Sequence, residues 1–279
     1  MESMLYNCKS LKYLDFSNIN TSSVIKIEKM FYGCNSLNYL NLSQFNTSLV
    51  KSMKKVFYGC SSLKSIDLSN FNTSLVESMS KLFQDCSSLK SLNLSGFNVS
   101  LTNNFEKMFY KCKSLKYLDI SNFIIKNIYF MDYMFYGISN LEFLNIYNFN
   151  SNESIITYIL NYMPDNLVYC IKNETNVSRF IYNYIINNKK CLVNYCNKDY
   201  KNAQKKILEN GGCIDECKNS KNSKYEYKGK CYFNCPLNTN PSFYNKYLCE
   251  DNCPNNQFRS IENGECDENC PSTYFFNQK

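Results

Sequence analysis

The chain contains no histidine and no tryptophan, and it has few glycines and prolines. Among its 279 residues there are only 8 glycines and 5 prolines. The lack of histidine removes the commonest general base and every Ser-His or Cys-His nucleophile pair. The few glycines form no glycine-rich phosphate loop. We therefore predict that the protein is not an enzyme and binds no cofactor.

Long apolar runs and clusters of basic residues are also missing. No apolar run reaches the length of about 18 residues that a membrane-spanning helix needs. The net charge of +7 arises from 31 basic and 24 acidic residues that are mixed along the chain. Because nucleic-acid binding needs clustered Lys and Arg, we predict no nucleic-acid partner. Any membrane attachment is expected in a segment outside this chain.

Five of the 16 cysteines recur at a strict interval of 26 residues. They are Cys8, Cys34, Cys60, Cys86 and Cys112, and Ile138 takes the next position in the series. A fixed period of this length is typical of stacked repeats, or solenoids. The apolar replacement indicates a packing role. We therefore predict free, buried thiols at these positions rather than disulfides between coils or a metal site.

Six copies of the repeat align without gaps, and the apolar positions recur in each copy. In the third copy these positions are Leu63, Ile66, Leu68 and Phe71, with Met79 further along. The spacing ends in an apolar-polar alternation, which predicts a short half-buried strand. The later positions predict a strand or turn that leads into one helical turn. Stacking would bury each apolar row against the same row of the neighbouring copies.

The repeating unit resembles a known family. The pattern Met-Phe-x-x-Cys-x-Ser-Leu-x-x-Leu-Asp-Leu-Ser, present in residues 30–53 and 57–79, resembles the BspA-like leucine-rich repeat. The resemblance covers residues 4–150. It implies a leucine-rich-repeat solenoid on the surface of a bacterial, mycoplasma-like or protist cell, with a role in interaction or adhesion. The expected fold class is an α/β repeat with short parallel strands and short helical turns.

The period predicts where the solenoid begins and ends. Met4 and Leu5 already occupy the Met-Phe positions, so residues 1–150 are expected to be a six-copy solenoid truncated in mid-repeat. Residues 151–212 leave the period and predict a cap and helical linker. Their expected elements are helices over 151–163, 177–186 and 198–210, and a strand over 166–171.

A second repeat begins at Cys213, so the last expected domain, 213–279, is cysteine-rich. Its Cys-x-x-x-Cys pairs are Cys213/Cys217, Cys231/Cys235, Cys249/Cys253 and Cys266/Cys270. Aliphatic residues are few here, and small domains of this kind are held together by disulfides or metal. The pattern resembles the furin-like, growth-factor-receptor type of cysteine-rich repeat, common in protist surface proteins. We predict a truncated, disulfide-rich rod with little regular structure, located outside the cell or at its surface.

Two disulfide arrangements fit this spacing. Hairpin loops would join Cys217–Cys231, Cys235–Cys249 and Cys253–Cys266. Interlocked modules would join Cys213–Cys231, Cys217–Cys235, Cys249–Cys266 and Cys253–Cys270. The hairpins are favoured because they leave Cys170–Cys191 and Cys196–Cys213 as simple partners, with only Cys270 alone. Zinc is the rival ligand, but the chain has no histidine and structural zinc usually draws on Cys-x-x-Cys, so we predict no metal.

Function is expected on the outward positions of the predicted strands. One column alternates Asp and Asn, which either forms a hydrogen-bonded ladder along the solenoid or faces a ligand. The candidate binding residues are Lys12, Tyr13, Asp15, Tyr39, Asn41, Lys64, Asp67, Lys90, Asn93, Lys116, Tyr117 and Asp119. The resulting hypothesis is a non-catalytic adhesin or receptor-like ectodomain that contacts protein or glycan. The alternative is a structural coat protein whose repeats self-associate.

Overall fold

The chain divides into two compact units, Met1–Lys205 and Lys206–Lys279. The structure, a computed structural model, describes residues 1–124, 129–149, 158–159, 161–172, 179, 183, 191–197, 199–208, 213–223, 225–228, 230–237, 239–241, 247, 249–251, 258–259 and 266–267. Within these residues the fold consists of short strands and turns with very little helix.

The first unit is a solenoid of short parallel strands. Register places equivalent residues of successive copies opposite each other, so Leu14 pairs with Leu40 and Leu118 with Leu144. Each repeat therefore makes one coil, as the 26-residue period predicts. The strands are β1 (Tyr13–Asp15), β2 (Tyr39–Asn41), β3 (Tyr117–Asp119), β4 (Phe143–Asn145), β5 (Val168–Cys170) and β6 (Val193–Asn194).

The third and fourth coils follow the same path without forming regular strands. Ser65 and Ser91 stand where the other coils have Tyr or Phe. The backbone still bonds between the two coils, because the Lys90 N–H donates to the Lys64 carbonyl at 2.9 Å. Serine favours strands less than aromatic residues do, and it forms no stacked cross-strand pair. This accounts for the absence of regular strands in these two coils, although the sequence predicts a strand in every copy.

The parallel sheet continues beyond residue 150. Strand β5 pairs in parallel with β4, with Val168 opposite Phe143, and β6 pairs in parallel with β5. The strand expected over 166–171 is therefore present, as a further rung of the sheet. The helix expected over 198–210 is short: α1 (Tyr200–Ala203) is followed by a strand at Lys206–Ile207.

Two other expected helices fall mainly outside the described residues. The expected helix over 151–163 is described only from 158 to 159 and from 161 to 163, where turns and no helix are found. Of the segment 177–186 only residues 179 and 183 are described, and both are helical. No helix within the described part of the chain is long and apolar enough to cross a membrane.

A ladder of turns, here called the turn ladder, replaces the helical turn expected in each repeat. In the third coil the N–H groups of Met53, Lys55, Phe57 and Gly59 donate to carbonyls of the next coil, at 2.8–3.0 Å. The N–H groups of Val56 and Tyr58 donate to the carbonyls three residues back within the coil. Two residues per coil have positive φ, which a right-handed helix does not allow. In four successive coils they are Lys29, Lys55, Lys81 and Lys107, and, four residues later, Gly33, Gly59, Asp85 and Lys111.

The predicted apolar columns form one continuous core. Leu63, Leu89 and Leu115 are fully buried, and the core extends to Ile171. Within this core a row of phenylalanine rings stacks at 5.5–6.0 Å from coil to coil. The row consists of Phe31, Phe57, Phe83, Phe109 and Phe135. Each coil therefore buries its apolar face only through its neighbours.

The second unit is built from short strands and disulfides. Its strands are β7 (Lys206–Ile207), β8 (Cys213–Ile214), β9 (Tyr225–Tyr227), β10 (Lys230–Tyr232), β11 (Thr239–Pro241), β12 (Cys249–Asp251), β13 (Phe258–Arg259) and β14 (Cys266–Asp267). The first four form a sheet in the order β8-β7-β10-β9, and the others form two antiparallel pairs. A 3₁₀ turn spans Cys217–Asn219.

Candidate binding face

The predicted binding residues lie together along the strand side of the solenoid, here called the strand face. Strands β1, β2 and β3 hold the tyrosines and the Asp/Asn column on this side. Three tyrosines remain largely accessible, with Tyr13 58%, Tyr39 47% and Tyr117 43% exposed. Single exposed aromatics are common, but a row of them on adjacent coils is suited to contact with a partner.

The tyrosines form two stacked groups. Tyr13 and Tyr39 lie parallel, with ring centroids 4.6 Å apart. Tyr117 stacks on Phe143 at 5.1 Å, and Tyr200 covers Phe143 at 4.7 Å. Tyr200 was not predicted as part of this face, because the residue lies after the 26-residue period has been lost. Between the two groups, the exposed Ser65 and Ser91 leave a gap two coils wide.

The Asp/Asn column has a structural role in every coil. The Oδ1 atom of each member accepts a hydrogen bond from the N–H two residues later, as Asp67 does from Ser69 at 2.9 Å. This bond lowers the pKa of Asp67 below its ordinary value. Between coils, the Asn145 Nδ2 donates to the Asp119 Oδ2 at 3.1 Å. The column therefore holds the turn that follows each strand position.

The lysines of the strand face differ in their partners. Lys116 forms an ion pair with Glu142 at 3.0 Å. Within the solenoid residues that are described, Lys12, Lys64 and Lys90 have no carboxylate partner. Lys64 and Lys90 flank the serine gap, so the face has unpaired positive charge at its centre.

A second periodic surface, which the sequence did not predict, lies on the turn ladder. Its tyrosines form two short rows. Tyr6, Tyr32 and Tyr58 stack at 4.5–4.7 Å. Tyr110 stacks on Tyr136 at 5.0 Å, and Tyr162 contacts Tyr136 at 4.8 Å with the two rings tilted by 50°. Burial, with nearby Lys81, Lys54 and Lys29, lowers the pKa of Lys55. The sequence feature that could have predicted this surface is the recurrence of lysine and tyrosine at the 26-residue interval.

The recurring cysteines contribute to packing and are poor nucleophiles. All five are free thiols, four of them buried. The Sγ of Cys60 donates to the Phe31 carbonyl at 3.2 Å, and the Sγ of Cys86 donates to the Phe57 carbonyl at 3.0 Å. Burial raises the pKa of Cys34 to about 11 and raises that of Cys86 well above the ordinary value. These thiols therefore stay protonated at neutral pH.

Other cysteines form disulfides. Cys217–Cys231 and Cys235–Cys249 are joined, which are pairs of the hairpin arrangement and not of the interlocked one. The third hairpin pair, Cys253–Cys266, involves Cys253, which lies outside the described residues. The strands β13 and β14 pair in this segment.

One disulfide differs from the predicted pairing. Cys170 is joined to Cys196, so the pairs Cys170–Cys191 and Cys196–Cys213 are not formed. Cys170 ends β5 and Cys196 follows β6, and the parallel pairing of these strands brings the two Cα atoms to 4.7 Å. The adjacent-coil geometry therefore outweighs proximity along the chain. Cys191 and Cys213 are also disulfide-bonded.

The solenoid matches a known protein family. Residues 1–116 and 65–162 match the family described as a Mycoplasma protein of unknown function, DUF285. Together these matches cover more than half of the chain. The chain belongs to the DUF285 family. Overlapping matches are expected of a repeating unit, and the DUF285 region contains every predicted residue of the strand face. Among curated proteins, none matches this sequence.

Proposed function

We propose that this DUF285 protein is a non-catalytic binding protein of the cell surface, an adhesin or receptor-like ectodomain that contacts protein or glycan through the strand face. The observation that carries the proposal is the exposed row of tyrosines beside the unpaired Lys64 and Lys90. Disulfides in both units are typical of an oxidising, extracellular environment.

The cell-surface location and the adhesive role in this proposal are supported by resemblance to known families. The repeat resembles BspA-like leucine-rich repeats, and the cysteine pairs resemble furin-like repeats of surface proteins. In this reading the solenoid presents the contact surface and the second unit separates it from the membrane. Membrane attachment would come from a segment outside this chain, and neither metal nor nucleic acid takes part.

Charge reversal on one side of the solenoid tests the proposal. The full chain is applied to a glycan array and used to capture biotin-labelled surface proteins of host cells. The double variant Lys64→Glu/Lys90→Glu is compared with Lys29→Glu/Lys54→Glu, which changes the net charge equally on the turn ladder. We expect at least a tenfold loss of binding for the first variant only. Equal binding by both variants, or no partner beside working lectin and adhesin controls, would contradict the proposal.

A row of exposed leucines favours the alternative, a coat protein whose repeats self-associate. Leu49, Leu75 and Leu101 are 44%, 40% and 53% exposed on consecutive coils. Apolar side chains in such a row are suited to contact with a second copy. Sedimentation velocity over a range of concentrations separates the two functions. A coat protein would form oligomers that Leu75→Lys disrupts, whereas a monomer at every concentration would exclude the coat function.

A further inference from the structure

The row of aromatic side chains on the strand face is interrupted at its centre. Tyr39 and Tyr117 border the interruption, and the exposed Ser65 and Ser91 form its floor. We propose that this serine gap binds an acidic saccharide, with a sugar ring packed against tyrosine and its acidic group held by Lys64 and Lys90. The proposal rests on the binding function proposed above and names the site and the ligand class.

The stacking of the tyrosines leaves one ring face free on each side of the gap. Tyr13 covers one face of the Tyr39 ring, with the two planes inclined by only 2°. On the other side, Phe143 covers one face of Tyr117. Tyr200 also approaches Tyr117, at 6.0 Å and tilted by 45°. The opposite faces of Tyr39 and Tyr117 lie towards the serine coils, and Ser65 and Ser91, which hold the equivalent positions there, carry no ring.

The width of the gap suits a sugar ring. Tyr39 and Tyr117 are three coils apart, which is roughly 14 Å at the spacing of about 4.8 Å between parallel strands. The thickness of the two aromatic rings leaves about 11 Å between their surfaces. A pyranose can pack on one tyrosine in this space while its hydroxyl groups reach the floor.

The floor of the gap is polar and supplies hydrogen-bonding groups. Ser65 and Ser91 contribute hydroxyls, and next to them Asp67 contributes a carboxylate and Asn93 a side-chain amide. Asp67 uses Oδ1 for the Ser69 N–H, and its Oδ2 is available to accept from a sugar hydroxyl. Apolar walls with a few polar groups between them are typical of small-ligand sites.

An extended peptide or an amphipathic helix fits this site less well. Peptides that add to a sheet need an open strand edge, whereas the backbone of the two serine coils already bonds from coil to coil, as in the Lys90 N–H to Lys64 carbonyl bond. A helix would need an apolar floor. Lys64 and Lys90 lack carboxylate partners in the described solenoid, so a carboxylate or sulfate on the saccharide would supply the opposite charge.

The substitution Ser65→Tyr tests the site without removing a stabilising contact. Tyr occupies this column in the first, second and fifth copies, so the variant is expected to fold and to extend the Tyr13–Tyr39 stack into the gap. The full chain is applied to an array of neutral, sialylated and sulfated oligosaccharides. We expect binding of acidic glycans by the wild type, at least a tenfold loss for Ser65→Tyr, and an unchanged or higher melting temperature.

Ser22→Tyr provides the matched control, because it makes the same change at an exposed serine that is not part of the strand face. Its glycan binding is expected to stay within twofold of the wild type. If Ser65→Tyr binds the same glycans equally well, the saccharide site lies elsewhere and the inference is overturned, although the strand face can still be the contact surface. If only protein partners are captured, the inference fails and the proposed function stands. If neither probe is bound, both fail.

Discussion

At the scale of single residues, small polar side chains connect the coils. Thr73 is buried, and its hydroxyl accepts from the Asn98 N–H and donates to the Asn98 carbonyl, both at 2.8 Å. The Thr47 hydroxyl donates to the Asn72 carbonyl at 2.9 Å in the same way. Each hydroxyl therefore satisfies backbone groups that the strand pairing does not reach.

Replacing Thr73 with valine isolates this contribution. Valine keeps the volume, as the buried Val99 in the same column of the next copy illustrates. Because the Asn98 backbone would lose its partner, we expect Thr73→Val to lower the free energy of unfolding by about 1–3 kcal/mol. Ser74→Ala removes a neighbouring hydroxyl outside the core and should change it by less than about 0.5 kcal/mol. Urea titrations measure both free energies of unfolding. If Thr73→Val and Ser74→Ala lower them equally, the Thr73 hydroxyl does not stabilise the stack in this way.

The buried thiols predict a dependence of stability on alkaline pH. Burial holds the pKa of Cys86 well above the 9.0 of an ordinary thiol, so the unfolded chain releases the proton first. This thiol's contribution to stability is complete below pH 9 and decreases as the pH rises above that value. Between pH 9 and 10 the loss should be about 1 kcal/mol for this thiol.

Urea titrations at the two pH values measure this loss. Between pH 9 and 10, the free energy of unfolding of Cys86→Ala should decrease by about 1 kcal/mol less than that of the wild type. This difference does not depend on the stability of the variant at neutral pH. Ser87→Ala, which removes a neighbouring hydroxyl that does not titrate in this range, is the matched control and should keep the full wild-type pH dependence. An identical decrease in the wild type and in Cys86→Ala would show that the thiol does not titrate as burial requires.

At the scale of elements, the turn ladder is formed by residues that are poorly suited to its backbone. Lys29 has a φ of 55°, in the left-handed region that lysine rarely adopts. The equivalent residue of the next three coils is also lysine, at Lys55, Lys81 and Lys107. The hydrogen bonds between coils therefore hold a conformation that the isolated segment would avoid.

Glycine at this position should relieve the strain. We expect Lys29→Gly to raise the free energy of unfolding by about 0.5–1 kcal/mol, because glycine adopts positive φ freely. Glu28→Gly, one residue earlier and at negative φ, should lower it by a similar amount. Thermal melting of the two variants measures the contrast, and destabilisation by both would indicate that the turn is not strained.

The elements also show how far sequence periodicity predicts structure. The columns of Leu63 and Leu89 predicted the core, because burial in a stack depends only on the period. The turn ladder was not predicted, because lysine carries no signal for positive φ. The strand pairing beyond residue 150 was missed since the interval between Phe143 and Val168 is one residue shorter than the repeat. The shared spacing of Cys170 and Cys196 with the earlier repeats was the remaining signal.

The candidate face could be predicted only in part. Outward strand positions follow from alternation, so Tyr39 and Lys64 were expected there. The grouping of the tyrosines and the gap at Ser65 depend on which side chains stack across coils. That information comes from packing and not from any single copy of the repeat.

At the scale of the whole molecule, the two units are stabilised by different means. The solenoid has a continuous apolar core from Phe16 to Ile171. The second unit has few buried apolar side chains among its described residues, and its buried Cys217, Cys231 and Cys249 belong to disulfides. Each of the disulfides Cys217–Cys231 and Cys235–Cys249 joins two residues that are 14 apart in sequence. In the chain-entropy description, a disulfide that closes a loop of this length stabilises the folded state by about 3 kcal/mol.

Reduction should therefore unfold the second unit first. With dithiothreitol present, we expect trypsin to cleave within Lys206–Lys279 much faster while a fragment near Met1–Lys205 persists. The double variant Cys217→Ser/Cys231→Ser should increase cleavage there without reductant. Mass spectrometry of the fragments provides the measurement. Equal loss of both units under reduction would show that the disulfides, and not the apolar core, hold the solenoid together.

The turn ladder gives the solenoid an electrical polarity along its axis. In the peptide unit between Lys54 and Lys55, the carbonyl accepts from the previous coil and the N–H donates to the next coil. The corresponding units in successive coils point the same way, so their dipoles add as they do in an α-helix. Hydrogen bonds in such a chain also polarise one another. The ladder therefore carries partial positive charge towards its later coils, so anions are favoured at that end and cations at the other.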